Sequence, residues 1–378
     1  MPLSLSLITL CLVFVSLLSP VGGAVERRKC SHPAVRKEWR SLPHKERADW
    51  ITAVNCLAKL PHDRMFKPSV NPPDIAPYNA SGSLFDGIGS LTQTLNSLAK
   101  ILFMHTWIHY TGQFLPWHRW YINTFDQALR SRCGYRGSSP YWDWTKGSPS
   151  PSSRVRVMQY LPVSGLGGWG AASTQYHVLD GAFSASSSFR PSYPYPHIMW
   201  RNYTLFPPLD KLIPIPGFVW NLSMPATDNF TRPVVEGIIN GFEGDFRNFH
   251  ATLESGPHTY VHLCVSGDMA GVCPVGAPPD CITAPTFSAN DPLFFLHHAM
   301  VDRIWYKWQH KHKSNKNAFF GGSVQRLENA TAFLRYQTGG PPFLSMDSVI
   351  PTNGLATSPV ILSDVMSTTE GPLCYIYD

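Results

Sequence analysis

The chain has 378 residues, 43% of them hydrophobic and 15% charged, with a formal net charge of +6. This composition excludes a disordered chain, and the length is enough to bury a sizeable core. Basic residues are scattered apart from His310 to Lys313, where a solvated helix end rather than a nucleic-acid surface is expected.

An apolar run from Leu3 to Leu18, followed by Ser19, Pro20, Gly22, Gly23 and Ala24, reads as a secretory signal peptide over residues 1–24. The run is short for a bilayer span, and no later segment is apolar enough to cross one. Residues 25–378 are then expected to form a single domain. Residues 31–60 read as helix, with Ser31 and Ser41 as N-caps, Trp50, Val54 and Leu57 at helical spacing, and Pro61 as the stop. Residues 61–90 read as loop, and Leu91 to His109 is helix-compatible. From His118 to Arg132, Ile122, Phe125 and Leu129 share one face, and Gly134 closes the helix. Residues 140–230 are rich in Ser, Pro, Gly and aromatics, which predicts loops and short strands. One or two helices are expected over 233–265. Asp291 is expected to cap a last, strong helix, with Pro292 in its first turn and Leu296, Ala299, Ile304, Trp305 and Trp308 along it. The fold class is therefore mainly α: a helical bundle with long loops and a few short strands.

Seven cysteines follow residue 24: Cys30, Cys56, Cys133, Cys264, Cys273, Cys281 and Cys374. In an oxidising compartment most of them pair, with Cys273 and Cys281 facing each other across a Pro/Gly loop, and one is left over. Glycosylation sequons at Asn79, Asn202, Asn221, Asn229 and Asn329 agree with a secreted glycoprotein.

The histidines carry the chemistry. His109 and His118 are eight residues apart, His258 and His262 lie four apart on one helix face, and His297 and His298 fall just inside the helix capped by Asp291. Imidazole nitrogen suits copper and zinc. A lone His-x3-His pair is more often packing than a ligand set, and Thr259 stands where the zinc peptidase motif needs Glu.

The segment His109-Tyr-Thr-Gly-Gln-Phe-Leu-Pro-Trp-His118-Arg119-Trp120 resembles the first copper motif of the tyrosinase and catechol oxidase family. Asn290-Asp291-Pro292-Leu293-Phe294-Phe295-Leu296-His297-His298-Ala299-Met300-Val301-Asp302-Arg303 resembles the second. Pro140-Tyr141-Trp142-Asp143-Trp144 and the ending Tyr375-Ile376-Tyr377 extend the resemblance, which is nearest to the short secreted fungal forms. It implies that the bundle houses two copper ions, the second held by His258, His262 and His298, with His297 as a flanking residue. His109 and His118 would hold the first. Asp302 would orient an imidazole or an arginine, with an ordinary helix salt bridge as the plainer reading.

The chain departs from the family where the third ligand of the first copper is expected, because Ile101 occupies that position. Three readings stand: His105, one turn before His109, replaces it; the site is incomplete; or residues 87–102 come from a misassigned exon. No cysteine lies two residues before His109, so the thioether bridge of some relatives is not expected. Nor is a C-terminal shielding domain, since the chain ends just after Tyr377.

The implied activity is oxidation of small phenols by O2, with o-diphenols or o-aminophenols favoured over monophenols. Thr259 and Glu254 are the possible modulators, Thr259 because strong monophenolases often carry asparagine there, and Glu254 as a holder of water or simply a helix-surface carboxylate. Phe294 would lie over the second copper or serve as core packing. The alternatives are a copper-deficient secreted relative with a binding or structural role, and an oxygen carrier. No nucleic-acid partner is expected, and no membrane partner after signal removal.

Overall fold

A computed structural model describes residues 29–61, 108–146, 165–191, 195–279, 281, 283, 285–352, 356 and 358–378. Two long helices form its spine: α2 (Phe114–Cys133) and α7 (Leu293–Lys311), which pack against each other. Helix α1 (His44–Leu57) lies on α2, and α4 (Arg232–Asn240) lies on α7. Between them α5 (Phe246–Leu253) and α6 (Thr259–Val265) run almost end to end. Two short helices, α3 (Leu209–Leu212) and α8 (Ala330–Arg335), sit in the loops.

The expected periodicities place the right residues inside. Trp50, Val54 and Leu57 of α1, Ile122, Phe125 and Leu129 of α2, and Leu296, Ala299, Ile304, Trp305 and Trp308 of α7 are all buried. One hydrophobic cluster runs from Trp39 to Tyr377, with Phe125 stacked on Phe295 at 3.5 Å where the two spine helices meet. Gly134, left-handed at φ 66°, ends α2, while Asp291 accepts the Leu293 N–H at 2.9 Å at the start of α7. His310, Lys311 and Lys313 are exposed at the far end of α7.

Several elements differ from expectation. The stretch 31–60 is not helical throughout: β1 (Ala34–Arg36) precedes α1, whose N-cap is Pro43 rather than Ser31 or Ser41. The reason is long-range, since β1 pairs in parallel with β6 (Tyr375–Tyr377), so that chain 341 residues away satisfies its backbone. Ile108 to Tyr110 is a non-helical turn, so His109 does not end a helix; the rest of 91–107 lies outside the described residues. Helix α8 follows α7, which is therefore not the last. The remaining strands pair as antiparallel β2 (Gly322–Val324) with β3 (Gly340–Phe343), and β4 (Val349–Ile350) with β5 (Val360–Ile361).

Disulfides join Cys30 to Cys374, Cys56 to Cys133 and Cys273 to Cys281, leaving Cys264 as a buried thiol. Among the described residues no helix is long and apolar enough to cross a membrane. The loops are anchored by buried polar groups rather than by regular structure. Arg201 forks onto both oxygens of Asp291 and donates to the carbonyls of Leu166 and Gly167, which staples residues 165–201 to the start of α7.

Candidate metal centre

The histidines converge on one point between α2, α6 and α7. His118 lies in the second turn of α2, His262 in α6, and His297 and His298 one turn inside α7. His258 closes a one-turn π bulge over Glu254–His258 that joins α5 to α6. Pro257 has no N–H to give to the helix, and Gly256 leaves helical geometry (φ −97°, ψ −113°), so the turn opens by one residue. The Glu254 carbonyl then receives the Thr259 hydroxyl at 2.7 Å and His258 Nδ1 at 3.2 Å. His109 reaches the same point from the turn before α2. That turn runs against residues 321–322, where a Cβ on Gly321 would stand 2.3 Å from the Gly112 Cα, so only glycine fits.

The rings lie close together. His118 and His298 stack at 4.1 Å with an interplanar angle of 5°, and His109 is 5.2 Å from His118 and 5.7 Å from His258 between ring centroids. Coordinating atoms of His258, His262, His297 and His298 lie within 4.8 Å of one another.

Hydrogen bonding settles which nitrogens are free. His118 Nδ1 faces the Phe114 carbonyl at 2.7 Å, His258 Nδ1 that of Glu254, and His262 Nδ1 that of Met269 at 2.6 Å. A carbonyl only accepts, so each Nδ1 carries the hydrogen and each Nε2 is left as a bare lone pair. Nε2 of His118 and of His258 is buried without a protein partner, as is His298 Nδ1. His262 Nε2 and His298 Nε2 stand 3.1 Å apart. Two imidazole nitrogens that share one metal at about 2.0 Å each stand about 3 Å apart, so this donor set fits a metal ion.

His297 belongs to the same cluster but differs in tautomer. The Trp144 indole N–H reaches His297 Nδ1 at 3.2 Å and can only donate, so the neutral His297 ring carries its hydrogen on Nε2. Its one lone pair is already engaged. The Trp144 contact escapes a histidine count, although Trp144 belongs to the Pro140–Trp144 motif.

Burial pushes His109 down to about 3 and His262 to about 4. Burial, then the neighbouring imidazoles, holds His118, His258, His297 and His298 well below the ordinary imidazole range. The rings are therefore neutral, as ligation by copper or zinc requires. His105, like Ile101, lies outside the described residues.

Around this cluster the expected residues find definite places. Asp302 accepts both the Tyr375 and Tyr377 hydroxyls at 2.6 Å and receives Arg119 Nε on its other oxygen. It therefore orients an arginine one residue from His118, not an imidazole. Burial opposes its charge, but Arg119, Arg36 and the two hydroxyls outweigh burial and hold its carboxyl below the usual range. Phe294 packs on His298 at 4.2 Å between centroids. Glu254 is not a helix-surface carboxylate, since it is only 1% exposed. Its Oε1 accepts the Tyr110 N–H at 2.6 Å, and its Oε2 pairs with His250 Nε2 at 3.0 Å, a partner that no sequence motif marks. A cavity of ≈ 220 Å³ opens onto His109, His258 and His262, with Glu254 and Thr259 in its wall and Leu212, Ile213, Leu263 and Leu327 among its aliphatic lining.

Residues 92–311 match the family model described as the common central domain of tyrosinase. The chain is 31% identical to a tyrosinase-like protein (phomQ1) of Diaporthe leptostromiformis, over 93% of this chain and 79% of that one. It is 29% identical to the tyrosinase ustQ of Aspergillus flavus, over 99% and 87% of the two chains. Its fold is similar to that of a polyphenol oxidase from Thermothelomyces thermophila, with a TM-score of 0.61 and 24% identity over 92% of this chain and 89% of that one. With the family model spanning more than half of its length and the histidines gathered at one point, the chain belongs to the tyrosinase family.

Proposed function

We propose that this copper oxidoreductase uses O2 to oxidise o-diphenols to o-quinones or o-aminophenols to o-quinone imines, with monophenols last, and that His109, His118, His258, His262 and His298 hold the copper pair. His105 is proposed as the remaining ligand of the first copper. The observation that carries the reading is the convergence of neutral imidazoles, with Nδ1 of His118, His258 and His262 spent on carbonyls and His262 Nε2 standing 3.1 Å from His298 Nε2. Copper, when bound, supplies the one-electron chemistry with dioxygen that no protein side chain can. The protein's part is to position and exclude. Carbonyls of Phe114, Glu254 and Met269 fix the tautomers, and Phe294 fills the space beside His298. The aliphatic wall formed by Leu212, Ile213 and Leu327 suits the face of a phenol ring.

The preference for diphenols is supported by Thr259, whose hydroxyl is turned onto the Glu254 carbonyl and so does not offer the amide that asparagine would. Secretion is supported by the three disulfides, and glycosylation by Asn221, which is exposed in its sequon. Asn229 Nδ2 is buried and is not proposed as a glycan site. The test is oxygen uptake by the copper-loaded protein on adding catechol, together with copper per chain. Continuous uptake with two copper ions is expected. Stoichiometric binding without consumption would indicate a carrier, and no copper pair would indicate a binding or structural relative.

A further inference from the structure

We propose that His250 is a positioning residue for the metal site, acting through the Glu254 carboxylate on the turn that carries His109. The inference rests on reading the site as dinuclear. The peptide unit between His109 and Tyr110 is gripped from both sides. Gln325 Nε2 donates to the His109 carbonyl at 3.1 Å, and the Tyr110 N–H donates to Glu254 Oε1 at 2.6 Å. Tyr110 has φ 52°, a left-handed conformation that tyrosine adopts only when its surroundings enforce it. His109 is in no described helix that would orient it, so this grip is what aims its ring at the site.

The same Glu254 also serves the other half of the site. Its carbonyl, which takes the Thr259 N–H of the π turn, also faces His258 Nδ1 and accepts the Thr259 hydroxyl. One residue therefore steers an imidazole proposed for the first copper through its carboxylate, and one proposed for the second through its backbone. That carboxylate is buried, and among the described residues its other hydrogen bond is to His250 Nε2, one turn earlier on α5, which steadies it against Tyr110. Phe114 closes the space between them, 5.4 Å from the His250 ring and 4.6 Å from the His258 ring. His250 Nε2 is engaged by Glu254, and its Nδ1 is buried without a hydrogen-bond partner. Its effect reaches the metals only through hydrogen bonds.

The test is copper per chain, and the affinity of the weaker-bound copper, in wild type, His250→Leu, His250→Gln and Glu254→Ala, using copper(I) competition with a chelator. Outer partners of this kind typically govern metal affinity by about 10- to 100-fold. His250→Leu is expected to weaken the weaker-bound copper by about that factor while the tighter one stays. His250→Gln, whose amide nitrogen reaches Glu254 as the imidazole does, should recover most of it. The double variant His250→Leu with Glu254→Ala should lose no more than Glu254→Ala alone, because both act along one chain of contacts. If His250→Leu does not fold, His250→Asn, polar but too short, takes its place and should lose what His250→Gln keeps. Wild-type affinity in His250→Leu or His250→Asn, or equal loss in His250→Gln, overturns the proposal. A wild type that binds no copper pair overturns the dinuclear reading instead.

Discussion

Replacing His297 or His298 separately by alanine tests the tautomer argument on which the ligand assignment rests. The two rings are neighbours in sequence, both are buried, and both lie within the cluster. In His297→Ala the Trp144 indole N–H loses its acceptor, at a cost of about 1–3 kcal/mol, and the space left by the ring adds a similar amount. Against a folding stability of about 5–15 kcal/mol, the variant stays folded but is measurably weaker. It keeps its copper, because the one lone pair of the ring it loses was engaged by the Trp144 indole. In His298→Ala a nitrogen 3.1 Å from His262 Nε2 disappears, and metal affinity should fall by more than the roughly 100-fold upper range seen for outer partners. The assay is copper per chain after gel filtration, with urea midpoints of the metal-free proteins. Loss of copper in His297→Ala and its retention in His298→Ala would refute the reasoning.

Three further outcomes are expected. Asp302→Ala takes the carboxylate from buried Arg119 and leaves buried Arg36 with the 3.9 Å contact to Asp126, and should cost about 3–5 kcal/mol in urea unfolding, whereas Tyr375→Phe should cost about 1 kcal/mol; equal, small effects would contradict the buried cluster. The metal-free protein should lose stability in acid. His109, His250 and His262 titrate near 3, 3 and 4 when folded, against about 6.5 unfolded, so the unfolded chain takes up protons first. Stability is complete above the unfolded value and is lost as pH falls toward the folded ones, at about 2 kcal/mol per group by pH 5. A urea midpoint unchanged between pH 7 and 5 would count against this. Cys374→Ser removes the disulfide that fastens β6 beside β1 and should cost about 2–5 kcal/mol; a variant with the wild-type midpoint would show that the β1–β6 pairing and the Asp302 cluster suffice.

Much of the site could be read along the chain because its chemistry is local. Helical spacing places His258 and His262 on one face, and Asp291-Pro292 opens α7 ahead of His298. Reading failed where a partner came from far away. β1 looked helical from its neighbours, yet its backbone is satisfied by β6. Glu254 looked like a surface carboxylate on a short helix, yet His250 and Tyr110 enclose it. The family resemblance already set His298 apart from His297, but the tautomer of His297 rests on an indole from residue 144.

By itself the sequence determined the helical periodicities, the order and spacing of the histidines, and the motifs that carry the family. Only the tertiary structure decided which ring nitrogens are free, which carboxylate is buried, and what holds the His109 turn in a left-handed backbone. The physical reason is that periodicity is a property of neighbouring residues. A tautomer, a desolvated carboxylate and a strained peptide are set by atoms that approach only when distant segments pack together.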